Sequence, residues 1–191
     1  MELEANAQTT GLWVRGILQH EYGVDIDKVT WLTTDEGHLA EYRDPLNCQM
    51  LPKGKRIDEM LYSGEIAAAI LGNDMPSDPR ISTLVPDAAA AAKQWYEREH
   101  VIPINHIFAV HRDLSKSRPD VIPELFKMIV ASRAAANPTA AIPPFGLEAN
   151  RKAIGMAIDW SCEQKIIPRR LSVDELFDEN AAALVAEETA S

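Results

Sequence analysis

A histidine stands at each end of the apolar run 107–110 in the stretch PINHIFAVHRDL, which begins at Pro103. Histidine is the side chain whose charge changes most easily near neutral pH, so one at the mouth of a cleft can act as a general acid or donate a hydrogen bond to an anion. Read as a strand, the stretch splits the pair, because successive side chains point to opposite faces. His106 shares a face with Phe108 and Val110, and His111 shares the other with Ile107 and Ala109. His106, beside Asn105 at the entrance of the strand, is the candidate acid or donor; the competing reading is an ordinary residue where a core strand meets water. His111, next to Arg112 and Asp113, reads as solvated.

Thr9 and Thr10 open the segment TTGLWVRGILQHEYG. The start of a helix presents unpaired N–H groups and the positive end of a dipole, a natural seat for a carboxylate. The two hydroxyls either hold such a substrate group or simply cap the helix. Asn73 follows the apolar run IAAAIL, at the strand end where α/β sheets tend to hold ligands, or serves as a turn residue.

Other chemistry has no support. There is no G-x-G-x-x-G, no P-loop and no G-x-S-x-G elbow. His38, Cys48, His106, His111 and Cys162 show no metal-ligand spacing, so no metal is expected. Two cysteines make no disulfide framework and read as buried free thiols.

Positioning falls to a chain that alternates helix and strand in its first half. A helix is expected from Thr9 to a stop at Gly23, a strand over 29–33, and a long loop over 35–54 with at most one helical turn. A short helix over 56–63 stopped by Gly64 precedes a strand over 66–71 buried on both faces. Another helix begins at Asp87 and leads into the strand at 107–110. Beyond residue 111 the pattern is helical: 119–135, with Val121, Ile122, Leu125, Phe126, Ile129 and Val130 on one stripe, and 147–164. Ser172 with Glu175 forms a capping box that opens a last short helix. The first half therefore implies a parallel, helix-covered sheet, and the second half implies helices that need another surface to cover.

Hydrophobic content of 46% and charged content of 25% are those of an ordinary soluble globular chain, long enough at 191 residues for one good core or two small lobes. No run approaches the ~18 apolar residues of a membrane span. The polar start MELEANAQTT is no secretory signal, so the chain as written reads as cytoplasmic, or as periplasmic if an upstream signal segment has been lost. A net charge of −10 argues against nucleic acid as a partner. Six of those charges, Asp174, Glu175, Asp178, Glu179, Glu187 and Glu188, follow Arg170 in a tail without Lys or Arg, read as a solvated face.

Three stretches go beyond generic pattern: LWVRGILQHEYGVDIDKVTW (12–31), IPINHIFAVHRDL (102–114) and GLEANRKAIGMAIDWSCEQKIIPRRLSVDELF (146–177). In that order they resemble the 4,5-dihydroxyphthalate decarboxylase family, a branch of the type II periplasmic-binding-protein-like superfamily that also holds thiamine-pyrimidine-synthesis-like and sulfonate-binding proteins. The resemblance implies an α/β fold of two lobes around a ligand cleft. It implies that 1–105 form the second lobe, while 106–191 supply a crossover strand and helices of the first lobe. The N-terminal lobe would then be missing, through truncation, a displaced start, or a cleft completed by homo-oligomerisation. The implied activity is non-oxidative decarboxylation of a hydroxylated aromatic acid, needing no cofactor. His106, matching the histidine of a Pro-x-x-His segment, would be the acid. Thr9 or Thr10, matching the pocket threonine, would bind the small-molecule carboxylate; Asn73 and Asn105 are substrate-binding candidates from their places in the chain and not from the resemblance. The alternative implied by the same superfamily is a non-catalytic solute receptor. The chain departs from the family at Asn73-Asp74-Met75-Pro76, where an Arg-Pro pair is usual. It departs again at Gly64-Glu65-Ile66-Ala67-Ala68, where Gly-Glu-Ile-Asp-Ala is common. Without that arginine a dicarboxylate loses its natural bidentate partner.

Overall fold

The computed structural model describes residues 2–3, 6–37, 39, 41–71, 76–136 and 143–184. The chain divides into two compact units, the first made of 1–99 with 160–168 and the second of 100–159 with 169–191.

In the first unit, β1 (Glu2–Leu3), β2 (Trp31–Thr33) and β3 (Cys48–Met50) form a small parallel sheet in the order β1-β2-β3. Trp31, Leu32 and Thr33 pair with Cys48, Gln49 and Met50. The strand expected over 29–33 is thus shorter by two residues, and the loop expected over 35–54 contains a strand. Cys48-Gln49-Met50 alternates too briefly to register as a period of two, and a ladder beside Trp31 decides its conformation. Both cysteines are half-buried free thiols. The mixture of helix with this small sheet is compatible with an α/β fold.

Helix α1 (Thr9–Tyr22) ends as expected at Gly23, whose left-handed φ of 65° lets its N–H reach back to Gln19 and Leu18. Its buried face carries Leu12, Trp13, Arg15, Gly16 and Leu18. Leu18, Ile26 and Trp31 form a core cluster. α2 (Ile57–Ser63) closes on Gly64, also left-handed. The following run 66–71 is not a strand: it holds a single bridge residue, Ala69, and Ala67 is exposed. Three alanines offer little area to bury and have weak β preference. The run's first N–H, that of Ile66, is already spent on the Met60 carbonyl that ends α2. α3 (Ala88–Glu99) follows, with Trp95 its buried residue and Asp87 accepting a bond from the Ala90 N–H at its start.

The regular elements of the second unit are all helical among its described residues: α4 (Arg112–Ser117), α5 (Val121–Ala136), the first part of α6 (Leu147–Glu163), a 3-10 turn at Val173–Glu175 and α7 (Glu179–Ala182). The stripe on α5 turns inward at Ile122, which is buried, and Phe126 meets Phe145 edge-on with ring centroids 5.7 Å apart. The capping box forms, the Ser172 N–H donating to Glu175 Oε2 at 2.7 Å, but it opens a 3-10 turn. None of the helices among the described residues is long and apolar enough to cross a membrane.

The expected strand at 107–110 does not form. Residues 101–111 carry no regular structure, and Ile107 and Phe108 are 63% and 67% exposed. A strand satisfies its backbone only through a neighbour, and no ladder reaches this segment among the described residues. His111 ends it by turning the chain into α4, its Nδ1 accepting from the Asp113 N–H at 3.2 Å.

Candidate functional site

Among the residues singled out from sequence, Thr9 and Thr10 lie in the first unit, and Asn105 and His106 in the second. Thr9 and Thr10 are the first two residues of α1 and not its cap; that position belongs to Gln8, with extended φ and ψ of −68° and 146° and no capping bond from its side chain. Helix starts slide by a residue or two where several cap-competent residues are adjacent. Thr9 is half-buried and Thr10 exposed. Asn105 and His106 are both exposed, as is His111, so the alternation of faces does not separate the two histidines by burial. Asn73 and His38 lie outside the described residues. No group of three or more His, Cys, Asp or Glu side chains able to hold a metal occurs among the described residues.

A polar group that stands out is Arg15, which sequence reasoning passed over. It is 2% exposed, in the middle of the buried face of α1. Its Nε donates to Gln164 Oε1 at 2.8 Å and its Nη2 to the Asn6 carbonyl at 2.5 Å. Gln164, itself buried, passes the link back to α1 by donating to the Leu12 carbonyl at 3.0 Å. The guanidinium sits 5.5 Å from the centre of the Trp31 ring. Nη1 is buried with no hydrogen-bond partner, and among the described residues no ion pair joins a carboxylate to the group. Burial pulls its pKa down to about 10, opposed by the charges of Tyr42, Cys48 and Asp44. The signal was present in the sequence: Arg15 stands three residues from both Leu12 and Leu18, on the apolar stripe.

Arg15 lines a small cleft with Asn6, Asp27, Trp31, Asn47, Gln164 and Lys165. Most donors there are committed. Asn47 Nδ2 serves the carbonyls of Ile26 and Val29, Trp31 Nε1 serves Ile26, and Asn6 Nδ2 serves the Tyr42 hydroxyl. Lys165 pairs with Asp27 at the exposed side. Asp27, a carboxylate of the lining, is the group there that could accept a proton, and it is held by Lys165.

The motif Trp13-x-Arg15-Gly16 is explained by the same neighbourhood. Trp13 and Trp160 meet edge-on with centroids 5.2 Å apart, and His20 stacks on Trp160 while bonding Glu163 at 2.8 Å. A Cβ on Gly16 would fall 1.9 Å from Trp160 Cε3, so only glycine admits the indole.

No family model matches the chain. It is 30% identical over 146 residues to the 4,5-dihydroxyphthalate decarboxylase of Comamonas testosteroni, covering 67% of this chain and 42% of that protein. It is also 30% identical over 100 residues to the enzyme of the same name from Pseudomonas putida, covering 46% of this chain and 38% of that protein. The chain thus spans about two fifths of the length of the curated relatives it matches, and the similarity supports the 4,5-dihydroxyphthalate decarboxylase family at a distant level.

Proposed function

We propose that the chain takes part in the non-oxidative decarboxylation of a hydroxylated, phthalate-like aromatic acid, on a fold of the type II periplasmic-binding-protein class whose cleft holds the substrate. The observation that carries this reading is the similarity to two decarboxylases of that name. The chemistry is balanced without a redox partner. A ring hydroxyl ortho or para to the carboxylate pushes electron density onto the carbon that bears it. A general acid protonates that carbon, the bond to the carboxylate carbon breaks, its electron pair returns to the ring, and CO2 leaves. His106 is the proposed acid; Thr9, Thr10, Asn73 and Asn105 are the proposed contacts to the substrate's carboxylate and hydroxyl oxygens.

Incubation with a panel of carboxyl-labelled hydroxybenzoates and dihydroxyphthalates, with trapping of labelled CO2, tests the reaction. Release from a dihydroxyphthalate is the expected result. His106→Ala should slow it by roughly 10²–10⁴-fold, the usual worth of a positioned acid; undiminished release would remove His106 from the role. Ligand-induced thermal stabilisation with no CO2 from any acid in the panel would replace the enzyme reading with that of a receptor.

A further inference from the structure

We propose that residues 41–47 form a strap clasped to α1 by a buried ion pair that Asp44 closes on Arg15. The inference stands apart from the decarboxylase reading and uses none of its residues.

Arg15 Nη1 is sealed from solvent, so its partner has to come from the chain itself or from a trapped water. A guanidinium keeps its charge and its five donors when buried, and an unmet buried donor or charge is costly. Asp44 presents the matching defect, since its Oδ1 is also buried without a partner. The two groups already act on each other through space, the carboxylate favouring the charged guanidinium. Turning Asp44 onto Nη1 satisfies both at once with a charge-assisted bond. Gln19 Oε1 is another buried acceptor without a partner, but it is neutral, and its amide nitrogen is drawn to Glu163 at 3.4 Å. Of these two acceptors, charge selects Asp44.

The segment is anchored on both sides of Asp44. The Tyr42 hydroxyl accepts from Asn6 Nδ2 at 2.8 Å, and the Asn6 carbonyl accepts from Arg15 Nη2, so one end reaches Arg15 through a single residue. At the other end Asn47 Nδ2 donates to the Ile26 and Val29 carbonyls, and the Trp31 N–H donates to the Asn47 carbonyl at 2.8 Å. Leu46 is wholly exposed, so its side chain adds no apolar hold and polar bonds keep the strap down. Pro45 and Asn47 line the cleft beside Arg15. The clasp therefore fixes one wall of that cleft, and its release lets the wall move.

Amide hydrogen exchange on the full chain reads the clasp. The Tyr42 N–H, bonded to the Leu39 carbonyl, and the Cys48 N–H, bonded to the Pro45 carbonyl, report on the strap. Asp44→Asn should speed their exchange roughly tenfold or more relative to the Gly23 amide. Asp44→Glu keeps the carboxylate and should retain most of the protection. Glu41→Gln makes the same change of charge at an exposed position of the strap and should exchange as the wild type does. The guanidinium nitrogen-15 signals of Arg15 should shift in Asp44→Asn and hold in Glu41→Gln. Strap exchange unchanged by Asp44→Asn, or equally fast in Asp44→Glu or Glu41→Gln, would overturn the proposal and leave a trapped water as the partner. Guanidinium signals that hold in Asp44→Asn but shift in Gln19→Leu would give Nη1 to Gln19 and overturn it as well.

Discussion

Two glycines show how one substitution reverses sign with its surroundings. Alanine is the better helix former by about 1 kcal/mol, so Gly→Ala in an open helix position stabilises. Gly155, in α6, has nothing within 4 Å of the site its Cβ would occupy. Gly155→Ala is expected to raise stability by roughly 0.5–1 kcal/mol, measured by urea denaturation. Gly16 faces the opposite situation, with Trp160 wedged between Trp13 and His20 and unable to yield. Overpacking of a filled core costs about 1–3 kcal/mol and sometimes more, which outweighs the gain in propensity. Gly16→Ala should therefore destabilise, and Trp160→Leu in the same chain should recover part of the loss through a non-additive double-mutant cycle. A Trp-x-Arg-Gly string is visible in any reading of the residues. That its glycine answers to an indole about 145 positions away is a long-range fact that no local period encodes.

At the level of elements, what was legible followed from local signals. α1, α2, α3, α5 and α6 all appear within about two residues of their expected ends, because glycine stops, caps and apolar stripes act over a single turn. Strands were legible only where a partner happened to exist. Residues 107–110 have strand composition but no ladder among the described residues, whereas Cys48–Met50 has little strand composition and pairs with Trp31–Thr33. Of the candidate site, His106 stands beside a run that reads as a strand and forms none, and Arg15 lies among apolar neighbours. The capping box at Ser172 is local and survived. Its Glu175 carboxyl accepts from the Ser172 N–H and then from Arg169, which hold its pKa at about 2, against a usual 4.5. A depressed carboxylate contributes its stabilisation fully above pH 4.5 and loses it as the pH falls toward 2. The amide shift of Ser172 should accordingly titrate with a midpoint near 2, and Glu175→Gln should remove that transition. A midpoint near 4.5 would mean the box is open in solution, as solvent screening of an exposed group permits.

For the molecule as a whole, the net charge of −10 sets the long-range field that any proposed carboxylate substrate meets. A dianion approaching this surface is repelled on average, and the repulsion acts over distances that salt controls: the Debye length is about 30 Å at 0.01 M and about 10 Å at 0.1 M. Contacts made after arrival, hydrogen bonds and ion pairs at short range in partly buried surroundings, are screened far less. The two effects have opposite signs in salt, and at low ionic strength the long-range one is the larger. Association of a phthalate-like dianion should thus speed up as sodium sulfate takes the solution from about 0.01 to 0.1 M, which stopped-flow measurement of the on-rate would resolve. An exposed positive cluster around the entrance would produce the reverse, a steady slowing over the same range, and would show that local charge and not the overall field guides the substrate in.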